Sequence, residues 1–139
     1  MSDAEEKVNA LVGEIRMLEN TFNEFSGRQN LLERILIETR SSLDTLAGLA
    51  TAKTEEVLIP VGGGILIRAS PPNTEKVLLN VGANVVVEKS RDYASKFMEV
   101  RASELEESIV AINSQRNQIA QRLESDRRAL QTIVNRQGQ

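Results

Sequence analysis

Apolar residues recur at alternating steps of three and four through the first third of the chain: Val8, Leu11, Ile15, Leu18, Phe22, Phe25, Gln29, Leu32, Leu36, Thr39, Leu43, Leu46 and Ala50. Only Gln29 and Thr39 among them are polar. A repeat of about 3.5 residues sustained this long keeps one stripe facing a partner as helices supercoil, so the segment reads as a coiled-coil helix. Ser2 and Glu5 have the spacing of a capping box, and Asp3, Glu5 and Glu6 suit the positive end of the helix dipole. A second stripe runs through Met98, Ala102, Leu105, Ile109, Ile112, Arg116, Ile119, Leu123, Asp126, Leu130 and Ile133. Ser90 is placed to cap that helix, with Asp92 in its first turn. Tyr93, Phe97 and Val100 widen its apolar face, which predicts burial on more than one side at this end.

Two such helices joined through a middle segment run antiparallel, and one register satisfies every layer. It pairs 15 with 130, 22 with 123, 36 with 109 and 43 with 102, and at the alternate layers 11 with 133, 25 with 119 and 32 with 112. Gln29 then lies opposite Arg116, a shared polar layer that costs stability but penalises shifted registers. Asp126 falls opposite Leu18, and the pattern offers no reason for an acid there. Charge favours the same pairing: residues 1–24 carry six acidic against two basic side chains, and residues 116–139 carry five basic against two acidic ones. The same charges also serve as solvated faces with favourable helix-dipole signs.

Between the helices the period changes. Glu56 to Val61, Ile65 to Arg68, Lys76 to Val81 and Val85 to Lys89 read as four short strands, turned at Gly62-Gly63-Gly64 and Gly82-Ala83-Asn84 and separated by Ser70-Pro71-Pro72-Asn73. This divides the chain into a helix over 1–53, two hairpins over 54–89 and a helix over 90–139, together one α+β domain. The strands carry apolar residues at consecutive positions, so both faces seek burial. Isolated hairpins are marginal in water and their open edges pair with other chains, so these strands call for completion by other subunits. Val57, Ile59, Ile65, Ile67, Val77, Leu79, Val85 and Val87 are the positions expected to carry that oligomerisation.

Composition narrows the chemistry. The chain has no Cys, His or Trp, and 27% of its residues are charged for a net charge of -3. It offers no imidazole base, thiolate nucleophile, standard zinc site or disulfide, and no excess basic charge for nucleic acid. The glycine run lacks the Gly-Lys-Ser/Thr and following helix of a phosphate loop, and the carboxylates lie on polar helix faces without a pocket. No enzymatic activity, cofactor or metal is expected. The apolar runs fall far short of the roughly 20 residues of a membrane span, and the first residues lack a secretion signal, so a cytoplasmic protein is expected.

Val57-Leu58-Ile59-Pro60-Val61-Gly62-Gly63-Gly64, the stretch from Thr74 to Asn84, and Val85-Val86-Val87-Glu88-Lys89-Ser90 resemble the alpha class of prefoldin. The resemblance covers the whole chain, because helix, two hairpins and helix is the alpha plan and the beta class has one hairpin; the lack of Cys, His and Trp resembles archaeal members. It implies an ATP-independent holding chaperone of two alpha-class and four beta-class subunits. The hairpins of all six subunits would form a β-barrel platform, and coiled-coil arm tips would grip non-native polypeptides for delivery to a group II chaperonin. A filament-forming relative and a scaffold that merely spaces partners are the alternatives.

Geometry leads to the same tips. The 43 residues from Val8 to Ala50 span roughly 65 Å as helix. Val8, Leu11, Val12 and Ile15 come together with Leu130, Ile133 and Val134 at the free end, where they are candidates for client binding. Leu11, Ile15, Leu130 and Ile133 serve equally to close the last seam layers; Val12 and Val134 lie off the seam.

Overall fold

The N-terminal cap forms as its spacing predicts: the Glu5 amide donates to Ser2 Oγ at 3.2 Å, and helix α1 runs Asp3–Thr51. Strands β1 (Val57–Gly62), β2 (Ile65–Ala69), β3 (Lys76–Gly82) and β4 (Val85–Ser90) follow, and helix α2 spans Arg91–Gln137. The computed structural model describes residues 2–138; Met1 and Gln139, the outer limits of the two expected helical segments, lie outside the described residues. Packing divides the chain into two units, one of residues up to Ile35 with those from Leu105 on, the other Leu36–Glu104.

In the first unit the helices meet along the expected stripes. Phe22 and Leu123 line one groove between them with Asn23 and Ala120; Phe25 and Ile119 line another, and Val8 and Gln137 a third. These levels match the antiparallel register derived from the seam. Ile112 and Leu123 are buried, and the remaining apolar seam residues of this unit are half-buried, as expected for a two-helix seam with solvent on both flanks.

In the second unit, Leu36, Thr39 and Ala102 are buried. The stripe of α1 drifts near its end: Leu49 is half-buried and Ala50 exposed. The last step is therefore three residues rather than four, which turns the seam toward the side chain with more apolar area to cover. The cover expected where α2 begins is partial, since Phe97 is half-buried while Tyr93 and Val100 are exposed.

The two hairpins are built alike. In each, antiparallel pairing shifts by one residue before the turn, between Pro60 and Gly62 and between Asn80 and Gly82. The two turn residues then have positive φ: 60° and 79° at Gly63 and Gly64, 51° and 60° at Ala83 and Asn84. That is the requirement of a type I′ hairpin turn, and only Ala83 lacks both a glycine backbone and a polar side chain to ease it. Ala83→Gly is therefore expected to raise stability by about 1 kcal/mol, read as a higher denaturant midpoint at unchanged slope.

The second hairpin is tied to α2 at its base. The Tyr93 amide donates to Ser90 Oγ at 3.1 Å, the cap expected from sequence. The Arg91 amide donates to the Glu75 carbonyl at 3.1 Å and Arg91 Nη1 to Thr74 Oγ1 at 3.0 Å.

Candidate interaction surfaces

β1 pairs only with β2, and β3 only with β4, among the described residues. Each strand therefore keeps one row of backbone donors and acceptors without a ladder partner, the condition that invites strand addition. The register Leu79↔Val87 and Val77↔Lys89 puts Val77, Leu79 and Val87 on one face of the second hairpin. Leu79 is buried there and Val77 and Val87 half-buried, so this face is largely covered within the chain. The opposite face is open: Leu78 is 76% exposed and Val86 54%. In the first hairpin both faces are open. Ile59, Ile65 and Ile67 are exposed on or beside one face, Leu58 and Leu66 on the other, and only the paired Val57 and Ala69 at the base are half-buried.

Val85, on the second hairpin, is exposed like Val61 and Val81 at the turns. Leu58, Leu66, Leu78 and Val86 thus join the exposed set, although they alternate with the positions expected to carry oligomerisation. The consecutive apolar runs held the signal, but a run without alternation does not say which face the chain covers for itself.

At the free end, Val8, Leu11, Ile15, Leu130 and Ile133 are half-buried in the seam, while Val12 and Val134 remain exposed. The register places Val12 and Val134 at one level, beyond the stripe. Further in along the helix pair, acidic side chains of α1 and basic ones of α2 engage directly. Arg122 Nε donates to Glu14 Oε1 and Arg127 Nη2 to Glu19 Oε1, both at 2.8 Å. Such exposed pairs contribute little stability but align the helices.

The polar seam residues do not form the layer their register suggests. Gln29 is buried and donates through Nε2 to Glu33 Oε1 at 3.2 Å, leaving its own Oε1 without a partner. Arg116 instead sets its guanidinium 5.7 Å from the centre of the Phe22 ring, a cation–π contact that needs no desolvated acceptor. Asp126 is buried, with Oδ1 3.4 Å from Arg122 Nε. Burial first, and then the charge of Glu14, push its carboxyl up from the usual range. The hydrogen bond from Arg122 holds Glu14 below that range, and Glu14 in turn raises Arg122.

Among the described residues no acidic cluster is arranged to hold a metal ion, and no helix is long and apolar enough to cross a membrane. What the molecule presents is apolar strand surface, open strand edges and a helix-pair end. Comparison with known sequences decides the family: residues 18–136 match the one described as "Prefoldin subunit".

The chain belongs to the prefoldin family. Curated relatives specify the archaeal-type alpha class. Prefoldin subunit alpha of Methanoregula boonei is 37% identical over 107 residues, covering 72% of this chain and 70% of that one. Prefoldin subunit alpha of Nitrosopumilus maritimus is 26% identical over 131 residues, covering 94% and 90%. Among solved structures, that of filamentous PFD from Methanocaldococcus jannaschii superposes with a TM-score of 0.59 at 26% identity, over 86% of this chain and 94% of that one. Two long helices with two antiparallel hairpins between them are the prefoldin fold. Prefoldin is a chaperone family, not an enzymatic one.

Proposed function

We propose that this chain is the alpha-class subunit of an ATP-independent holding chaperone, two copies joining four beta-class prefoldin subunits through their hairpins in a β-barrel platform. The arm ends capture non-native polypeptides and deliver them to a group II chaperonin in the cytoplasm. The observation that carries this reading is the state of the hairpins, with open edges and exposed apolar residues such as Ile67 and Leu78. A chain that left such strands uncovered would aggregate, so partner strands are required. At the arm end, Val12 and Val134 offer apolar contact without any opening of the seam, while Val8, Leu11, Ile15, Leu130 and Ile133 become available when the helices part. Each arm binds weakly, and several acting on one client supply the affinity.

A second reading follows from the filamentous relative: the same hairpins joining copies of this chain into a filament. Light scattering separates the two. This chain is measured alone and then mixed with a beta-class subunit from a related source. Conversion to one species of about six subunits supports the hetero-oligomer, whereas a ladder of sizes from this chain alone supports the filament. Suppression of client aggregation without nucleotide then tests holding, and failure to suppress it supports the scaffold instead.

A further inference from the structure

Asp126 sits where the seam calls for an aliphatic residue. It is 4% exposed, and its Oδ2 has no hydrogen-bond partner. Leu123 and Leu130 precede and follow it in the stripe of α2, and the register brings it level with Leu18 of α1. One guanidinium serves two carboxylates here: Arg122 Nε lies 2.8 Å from Glu14 Oε1 but 3.4 Å from Asp126 Oδ1. Glu14 is thus the titratable group facing Asp126 from α1, and Arg122 the charge facing it from α2. Glu19 and Arg127 pair with each other, as do Glu124 and Arg128, so neither cation is free to compensate Asp126.

We infer that Asp126, Glu14 and Arg122 form a proton-sensitive weak layer that sets how readily the outer half of the helix pair opens, loosened while Asp126 is ionised and closed when it is protonated. An ionised Asp126 is a buried charge whose counter-ion is already committed to Glu14. Protonation removes that charge and supplies an O–H that Glu14 can accept. Gly13, next to Glu14, weakens α1 at the same level: a Cβ there would meet nothing within 4 Å, so packing does not require the glycine.

The sign follows from linkage. Burial and Glu14 raise the Asp126 carboxyl in the closed state, so the stabilisation from its proton is complete below the unfolded pKa and is lost as pH rises through the folded one. Glu14 is lowered, so its contribution is present above the unfolded pKa and is lost only as pH falls through its lower folded value. Closure is firmest between the lowered Glu14 value and the raised Asp126 value, where Asp126 is protonated and Glu14 still charged. It loosens as pH rises through the Asp126 value.

Amide hydrogen exchange on the assembled full chain tests this, with residues 119–133 compared against residues 94–105 after correction for intrinsic rates. In the natural sequence, protection of 119–133 is expected to rise several-fold from about pH 7.5 to about pH 4, the ordinary carboxylate range. Asp126→Asn should be protected at both and lose the pH response. Glu14→Gln, which frees Arg122 for Asp126 and keeps the proposal testable if the first variant misfolds, should raise protection at neutral pH. Equal protection at both pH values, or variants that exchange like the natural sequence, would overturn the inference. Its use in client capture rests on the proposed function and is read separately: altered exchange with unchanged client protection keeps the weak layer and removes seam opening from capture.

Discussion

Ile67→Asp is expected to release this chain from its oligomer as a species near its monomer mass of 15.4 kDa, with helix content unchanged. Ile67 is 50% exposed and pairs with Ile59 across the first hairpin, so a carboxylate there disturbs little inside the chain. In an assembled platform the same carboxylate would lie against apolar strands of a neighbour. Desolvating an unpaired charge costs on the order of several kcal/mol at each junction, enough to dissociate a complex at micromolar concentration. Val87→Asp should dissociate it as well but is the less clean probe, because Val87 is half-buried opposite Leu79 and its loss also unsettles the chain's own packing. Light scattering with circular dichroism separates the two effects. A full-size complex carrying Ile67→Asp would show that this face of the first hairpin does not meet a neighbour.

Replacing both Val12 and Val134 with serine is expected to leave assembly intact and sharply reduce protection of an aggregating client. Both valines lie off the seam and exposed, so serine there costs the helix pair little. A valine buried against a client contributes about 1.5 kcal/mol. Removing two from an arm weakens its grip by roughly one to two orders of magnitude, since about 1.4 kcal/mol is tenfold. Multivalency spreads that loss over several arms, so the measurement is the ratio of chaperone to client that halves light scattering by the aggregate. Unchanged protection would move capture to the seam residues Leu11, Ile15, Leu130 and Ile133, where variants must be read together with arm stability.

Much of this architecture is legible in the order of residues because its elements have distinct periods. Steps of three and four specify the helices and their register, and β-branched runs broken by glycine specify the hairpins, whose strands pair as read. Where the pattern is silent, the reason is physical. Spacing sets Arg116 opposite Gln29, but a long side chain reaches partners well beyond its own level, and Arg116 takes the Phe22 ring instead. The strand runs are apolar at every position, so covered and open faces of the second hairpin emerge only from its packing. By periodicity alone Asp126 is an unexplained exception in a stripe. Its meaning depends on how one guanidinium is shared between two acids, which no periodicity encodes.

The likeness of the two hairpins bears on how large an assembly grows. Val61-Gly62-Gly63-Gly64-Ile65 and Val81-Gly82-Ala83-Asn84-Val85 make the same shifted pairing and the same turn. Under the proposed assembly the chain has the valence of a bifunctional monomer in a step polymerisation. Such a monomer extends until its ends meet or until a monofunctional partner terminates them. A beta-class subunit with a single hairpin, as the resemblance implies, would be a chain stopper in that sense. Particle size would then follow stoichiometry, and the supply of stoppers rather than any residue of this chain would decide between closed particles and long ones.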